Sequence, residues 1–280
     1  MKFEIAADME YGVTGKGTII LNIHALRSPN QAVLFETFSV EPYVRTEELT
    51  SAHGENRFIR LDIPKKADLR ISYKATVDTS HKITDHRKQK PVPVARLEPS
   101  VFPYLYPSRY CQSDKLYRLA NNKFGHIRNP YVQVVKLTEW IHRNVEYLSG
   151  STNSQTSAYD TVTEQAGVCR DFAHLGIALC RALSIPARYF TGYSYKLVPQ
   201  DFHACFEAYL GGDWVLFDAT KLAPLNGMVK IATGRDAADT AIANIFGNIT
   251  GGYIQVSCNA IDGFVPHNYI PSEMKGVSYL

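Results

Sequence analysis

Apolar residues along positions 1–95 recur mostly with a period of two. In Leu69 to Val77 (LRISYKATV), Leu69, Ile71, Tyr73, Ala75 and Val77 fall on one face, and in Arg57 to Ile63 the apolar Phe58, Leu61 and Ile63 sit among Arg and Asp. Alternation of this kind predicts half-buried strands. Thr18 to Ile23 and Ala32 to Phe35 are short apolar runs bounded by the turn signals Gly15-Lys16-Gly17 and Ser28-Pro29-Asn30. No segment of helical period interrupts them, so residues 1–95 are expected to form a small β-sandwich-like or β-sheet domain. The prolines at 91, 93, 99, 103 and 107 then predict an extended linker over 96–110, followed by a second domain over 111–280.

From about residue 108 the period becomes helical. Ser113 to Phe124 and Tyr131 to Val145 are predicted helices, the second with Val134, Leu137, Ile141 and Val145 on one face and a start at Asn129-Pro130. A third helix follows Gly167. Phe172, Leu175, Leu179 and Leu183 fall at i, i+3, i+7 and i+11, and the run stops at Ser184-Ile185-Pro186, where proline cannot continue the ladder. That places Cys169 at the helix N-terminus, where orphan N–H groups and the positive dipole end favour a thiolate and can stabilise an adjacent oxyanion. The polar loop Ser149 to Ser157 just upstream is a candidate cleft wall. Downstream, Phe202 to Leu210 and Trp214 to Thr220 are β-type runs joined through Gly211-Gly212-Asp213, a hairpin signal. A two-residue turn pairs Leu210 with Asp213. Cys205 then faces Asp218, with His203 diagonal to Asp218 on the same sheet face. A three-residue turn would put Asp218 on the other face.

The chemistry this order suggests is nucleophilic. His203 lies 34 residues after Cys169, and Asp218 lies 15 residues further on. A thiol facing a histidine whose tautomer is fixed by a carboxylate is the triad arrangement of cysteine catalysis. Other residues have structural readings. Cys180, deep in the helix, is read as core, and Cys205 as more a packing residue than a site residue. His174 is read as a packing histidine bonded to a carbonyl, and Asp171 as a helix-start charge or cap. Glu207 is too far along its strand to share the imidazole, and Arg235-Asp236 suits a salt-bridged turn as well as a cleft wall. Gln155 is a guess for the second oxyanion donor.

Composition narrows the alternatives. The 280 residues are 45% hydrophobic and 20% charged, ordinary globular values, with a net charge of +3 that is too small to imply nucleic acid. The one basic stretch, His81 to Lys90, reads as a solvated linker. The start MKFEIAADMEYG lacks a signal-peptide core, and no run approaches a membrane span, so no membrane partner is expected. Five irregularly spaced cysteines without a CxxC pair suggest a reduced, cytoplasmic protein with neither a disulfide framework nor a zinc site. With no HxxxH, no HExxH and no Gly-rich strand-to-helix loop, no metal and no cofactor are expected.

The stretch GVCRDFAHLGIALCRALSIPARYFTGY, followed by HACFEAYLGGDWVLFDAT, resembles the transglutaminase-like cysteine protease superfamily in its bacterial branch. The N-terminal β segment, PSRYC at 107–111 and ATGRDAADTAIANIFG at 232–247 are similar to that branch as well. The resemblance implies an α+β, papain-like core, with a cysteine-bearing helix packed on an antiparallel sheet. It implies Cys169 as nucleophile, His203 as general base and acid, and Asp218 as orienter. Two positions depart from many relatives: Cys205 stands where they have Trp, and Ala219 where they have Pro. The expected activity is cysteine-dependent attack on an amide of a protein or peptide substrate through a thioester, resolved by water rather than an amine. The alternatives are a true transglutaminase and a binding or scaffold protein that kept the fold.

Overall fold

Leu21 and Ala243, more than two hundred positions apart in the chain, are ladder partners, and this pairing sets the architecture. The computed structural model describes residues 1–51, 56–87, 91–268 and 273–279. Strands β1 (Lys2–Leu21), β2 (Gln31–Glu41), β3 (Arg45–Thr50), β4 (Arg57–Ile63) and β5 (Ala67–Thr79) form an antiparallel sheet. The first half of β1 pairs with β5 and its last residues, from Gly17 to Leu21, pair with β4, so the sheet curls around a core. Phe3, Ile5, Ile19, Leu61, Ile71, Tyr73 and Val77 fill that core, and the face predicted from the alternation of Leu69 to Val77 is the buried one. Strand β6 (Lys82–Asp85) leaves for the other sheet.

The proline-rich stretch that follows is not simply extended. Val94–Arg96 and Pro99–Leu105 form 3₁₀ turns, with Leu97 and Val101 buried. Helices α1 (Ser113–Phe124) and α2 (Pro130–Asn144) come next, α2 opened by the Asn129 side chain accepting from the Val132 N–H. Strand β7 (Glu146–Tyr147), helix α3 (Ala158–Glu164) and strand β8 (Ala166–Gly167) lead into α4 (Cys169–Ala182). Strands β9 (Ala187–Ser194), β10 (His203–Leu210), β11 (Asp213–Phe217) and β12 (Met228–Gly234), a short α5 (Ala237–Thr240), and strands β13 (Ala243–Ala260) and β14 (Lys275–Ser278) complete the chain. The second sheet runs β12-β9-β10-β11-β14-β6, with α4 packed across β9 and β10.

Two strands cross the expected division of the chain into 1–95, 96–110 and 111–280. β13 adds to the first sheet along the whole of β1, and β6 is the edge of the second sheet, paired to β14. Part of the basic stretch expected as a solvated linker is therefore a strand, with Lys82 bonded to Asp213. Lys88, Gln89 and Lys90 lie outside the described residues. Ladders between such distant segments leave no mark in local periodicity.

Two side-chain amides dock the sheets. Gln31 accepts from the Lys230 N–H and donates to the Lys230 carbonyl, both at 2.7 Å. Asn56 donates to the Thr233 carbonyl at 2.8 Å and accepts from its N–H at 3.1 Å. Each amide thus bonds the outer edge of β12 as a neighbouring strand would.

Candidate active site

Helix α4 delivers Cys169. Its first turn is closed by Asp171, fully buried, which accepts from the Val168 N–H at 3.0 Å and the Thr152 hydroxyl at 2.9 Å. Arg170 bonds the same carboxylate at 2.9 Å and the Asn153 carbonyl at 2.7 Å. The polar loop is thereby strapped to the helix start, and Asp171 is the buried cap foreseen as one of its two readings. The body of α4 is buried, whereas Cys169 at its N-terminus is partly exposed.

Helix and hairpin meet because of two glycine features. At Gly176 a Cβ would lie 2.5 Å from the Phe206 ring, so only glycine lets α4 approach β10 this closely. Gly211 and Gly212 both have positive φ, 63° and 95°, as a two-residue type I′ turn requires. The turn pairs Leu210 with Asp213 and Phe206 with Phe217, the register expected from the two-residue loop. One position beyond β11, Asp218 comes within reach of His203.

Asp218 Oδ2 lies 3.0 Å from His203 Nε2, and both side chains are buried. The carboxylate is held in turn: Oδ1 accepts from the Thr220 N–H at 2.9 Å and its hydroxyl at 2.6 Å, and Oδ2 from the Ala223 N–H at 3.3 Å. An ionised Asp218 is acceptor-only, so the Nε2 proton belongs to the imidazole and Nδ1 is its basic atom. Nδ1 is buried without a hydrogen-bond partner, and the Cys169 thiol lies in reach of the ring. Loose contacts of this kind are common before a substrate arrives.

Burial opposes a charge on His203, but the acidic groups beside it, Cys205 and Asp218, outweigh burial and raise its pKa well above the usual histidine value. Cys205 is itself pushed up to about 12 by burial, so it is a neutral thiol at pH 7. Asp218 therefore carries the effect at neutral pH. Burial would raise the Asp218 pKa, but His203 and Thr220 hold it below the usual carboxylate range.

Two further residues join the site. Cys205, expected to pack more than to act, lines up with His203 and Asp218 as well as packing against Phe190 and Leu216. Tyr147, not considered, pairs with Gly167 in the short β7–β8 ladder, and its hydroxyl faces the Cys169 backbone N–H. A two-residue parallel pairing has no sequence signal, while the Cys205 position was implicit in the hairpin register.

The remaining candidates have other employment. His174 stacks between Tyr110 and Tyr189 and accepts from the Ala237 N–H at 3.1 Å, so it bonds an amide rather than the carbonyl expected; burial keeps its pKa well below the usual value. Glu207 is fully buried against Arg188 and Lys230. Arg235 pairs with Asp239, and Asp236 caps α5 and accepts from the Tyr110 N–H. Gln155 is exposed, its amide oxygen held by Arg109 at 2.8 Å. Cys180 is buried, as expected.

A partly exposed cysteine heading a helix, set against a strand-borne His–Asp pair on an antiparallel sheet, is the papain-like, α+β class of fold. Within that class the comparisons agree. The bacterial transglutaminase N-terminal domain matches residues 1–100 and the transglutaminase-like superfamily matches residues 117–219. The crystal structure of a "putative cysteine protease" from Cytophaga hutchinsonii is 56% identical, with a TM-score of 0.98, covering 100% of this chain and 98% of that one. The chain belongs to the transglutaminase-like cysteine protease superfamily, in its bacterial branch. An uncharacterized protein of Mycobacterium leprae is 28% identical over 145 residues, 49% of this chain and 52% of that protein. One of Mycobacterium tuberculosis is 39% identical over 67 residues, 24% of this chain and 21% of that protein. The chain thus spans about half the length of the first of these curated relatives and about a fifth of the second. Among the described residues no helix is long and apolar enough to cross a membrane.

Proposed function

We propose that the chain is a cysteine-dependent hydrolase of amide bonds in a protein or peptide substrate, with Cys169 as nucleophile, His203 as general base and acid, and Asp218 as orienter. The observation that carries this is the buried His203–Asp218 pair at 3.0 Å facing the thiol at the α4 N-terminus. Sulfur attacks the carbonyl carbon as His203 Nδ1 takes the thiol proton. The oxyanion forms beside the N–H groups of the first turn. His203 returns the proton to the leaving amine as the C–N bond breaks, leaving a thioester. Water, deprotonated by His203, attacks that thioester, and the C–S bond breaks to release acid and thiol. Support for hydrolysis comes from the name given to the Cytophaga relative.

The test is a screen of purified protein with thiol-directed peptide probes and with glutamine acyl donors plus an amine. Peptide cleavage that disappears in Cys169→Ala, with the melting temperature nearly unchanged, is the expected result. Amine incorporation in place of cleavage would make the protein a transglutaminase. Activity retained in Cys169→Ala would refute the nucleophile.

A further inference from the structure

We propose that His203, Cys205 and Asp218 form a binding site for a thiophilic divalent cation, Zn²⁺ by its chemistry, and that occupancy switches off the hydrolase. The site stands on geometry alone; the switching rests on the function proposed above. One ligand atom from each of the three residues lies within 4.8 Å of the others, and all three side chains are buried. The placement follows from the hairpin: residues 203 and 205 share one face of β10, and Asp218 continues β11 opposite Cys205. Nitrogen, sulfur and oxygen donors together suit zinc better than the all-oxygen cations. Three protein ligands leave a fourth position open.

Asp218 lies on the Nε2 side of the His203 ring, at 3.0 Å, so the ion would take the place of the Nε2 proton between them. Asp218 Oδ1 is fixed by both Thr220 donors, the kind of outer support that orients a metal-ligating carboxylate. The Cys169 thiol, in reach of the same ring, flanks the site and is partly exposed, which gives an ion a way in. With an ion on Nε2 the neutral ring carries its one proton at Nδ1, which can no longer take the Cys169 proton, so binding and catalysis exclude each other. The HxC spacing of His203 and Cys205 gave no metal motif because its third member lies across the hairpin.

The test uses the full chain stripped of metal with a chelator. Cd²⁺ is titrated while thiolate-to-cadmium charge-transfer absorption is followed, and Zn²⁺ is then added as competitor. One ion per chain is expected. Cys205→Ala should weaken binding by at least about 100-fold, above the range for losing an outer-shell partner. Cys205→Ser, closer in size, should lose the sulfur absorption with its circular dichroism unchanged, which separates ligand loss from misfolding. Cys169→Ala should keep the absorption although it has no activity, so the site can be shown even if the hydrolase reading fails. In an active wild type, Zn²⁺ should inhibit and chelator should restore turnover. Wild-type affinity in Cys205→Ala, or loss of the absorption in Cys169→Ala, would mean that the ion sits on the exposed thiol alone and would overturn the site.

Discussion

The imidazole of His203 is where the charge balance of the site is decided. Its pKa is raised, so the cation persists above the ordinary value of 6.5 and is lost only as pH rises through the raised one. That charge faces the Cys169 thiol over the same window. Iodoacetamide should therefore alkylate Cys169 at pH 6 in the wild type, less readily in Asp218→Asn, and slowest in His203→Ala. Turnover in Asp218→Asn should fall by about 10–10³-fold, less than the roughly 10⁴-fold seen in a serine triad, because the helix end still favours the thiolate. An unchanged alkylation profile in both variants would uncouple the pair from the thiol. In the proposed mechanism Tyr147, with its hydroxyl against the Cys169 N–H, would donate to the oxyanion. Tyr147→Phe should lower kcat by roughly 10-fold or more with KM little changed, toward the 10²–10³-fold loss of a full oxyanion donor. The placement of Cys169, His203 and Asp218 was legible because each has a local sign: a helix start, a β run, a Gly-Gly turn. Tyr147 had none, since its place depends on a ladder of two residues.

Among the elements, helix α4 and the β10–β11 hairpin matched their sequence patterns most closely. Apolar spacing fixed the buried face of α4, and Gly211-Gly212 fixed the register that puts Asp218 on the His203 side rather than the reverse. The edges of the sheets were not legible. β6 has a largely exposed pattern, and its partner β14 lies almost two hundred residues later. The role of Gly176 was also hidden, because a glycine inside a helix reads as a weak point until its neighbour is known. Gly176→Ala tests the contact. Helix propensity alone favours alanine by up to about 1 kcal/mol. A Cβ at 2.5 Å from Phe206 costs more, about 1–3 kcal/mol of overpacking. A lower melting temperature with reduced kcat is expected, since α4 must move away from β10 and carry Cys169 from His203. A rise in melting temperature would show that the ring yields freely.

Across the whole molecule, acid stability should be governed by the first sheet. Arg57 is buried and bonds Glu36, Glu48 and the Ala25 carbonyl, while Tyr73 donates to Glu36 at 2.9 Å. Burial alone would raise the Glu36 pKa, but the bonds from Arg57 and Tyr73 lower it from 4.5 to about 2. A depressed carboxylate contributes stability above its unfolded value and loses it as pH falls through the folded one. The melting temperature should thus drop between pH 4.5 and about 2. Glu36→Gln should flatten that drop while costing roughly 1–3 kcal/mol at pH 7, where Arg57 loses a partner. An identical pH profile in the variant would place the acid sensitivity elsewhere.

The pairing of β1 with β13 also sets a schedule for biosynthesis. The ladder partner of Leu21 is Ala243, and that of Phe3 is Ala260. At about 5–20 residues per second, a ribosome needs on the order of 10–50 s to make the chain between them. For that interval the outer edge of β1 offers unpaired backbone groups to any other strand it meets. The first sheet to be synthesised is thus among the last to close, and a nascent chain of this protein is a natural client for factors that shield exposed strand edges.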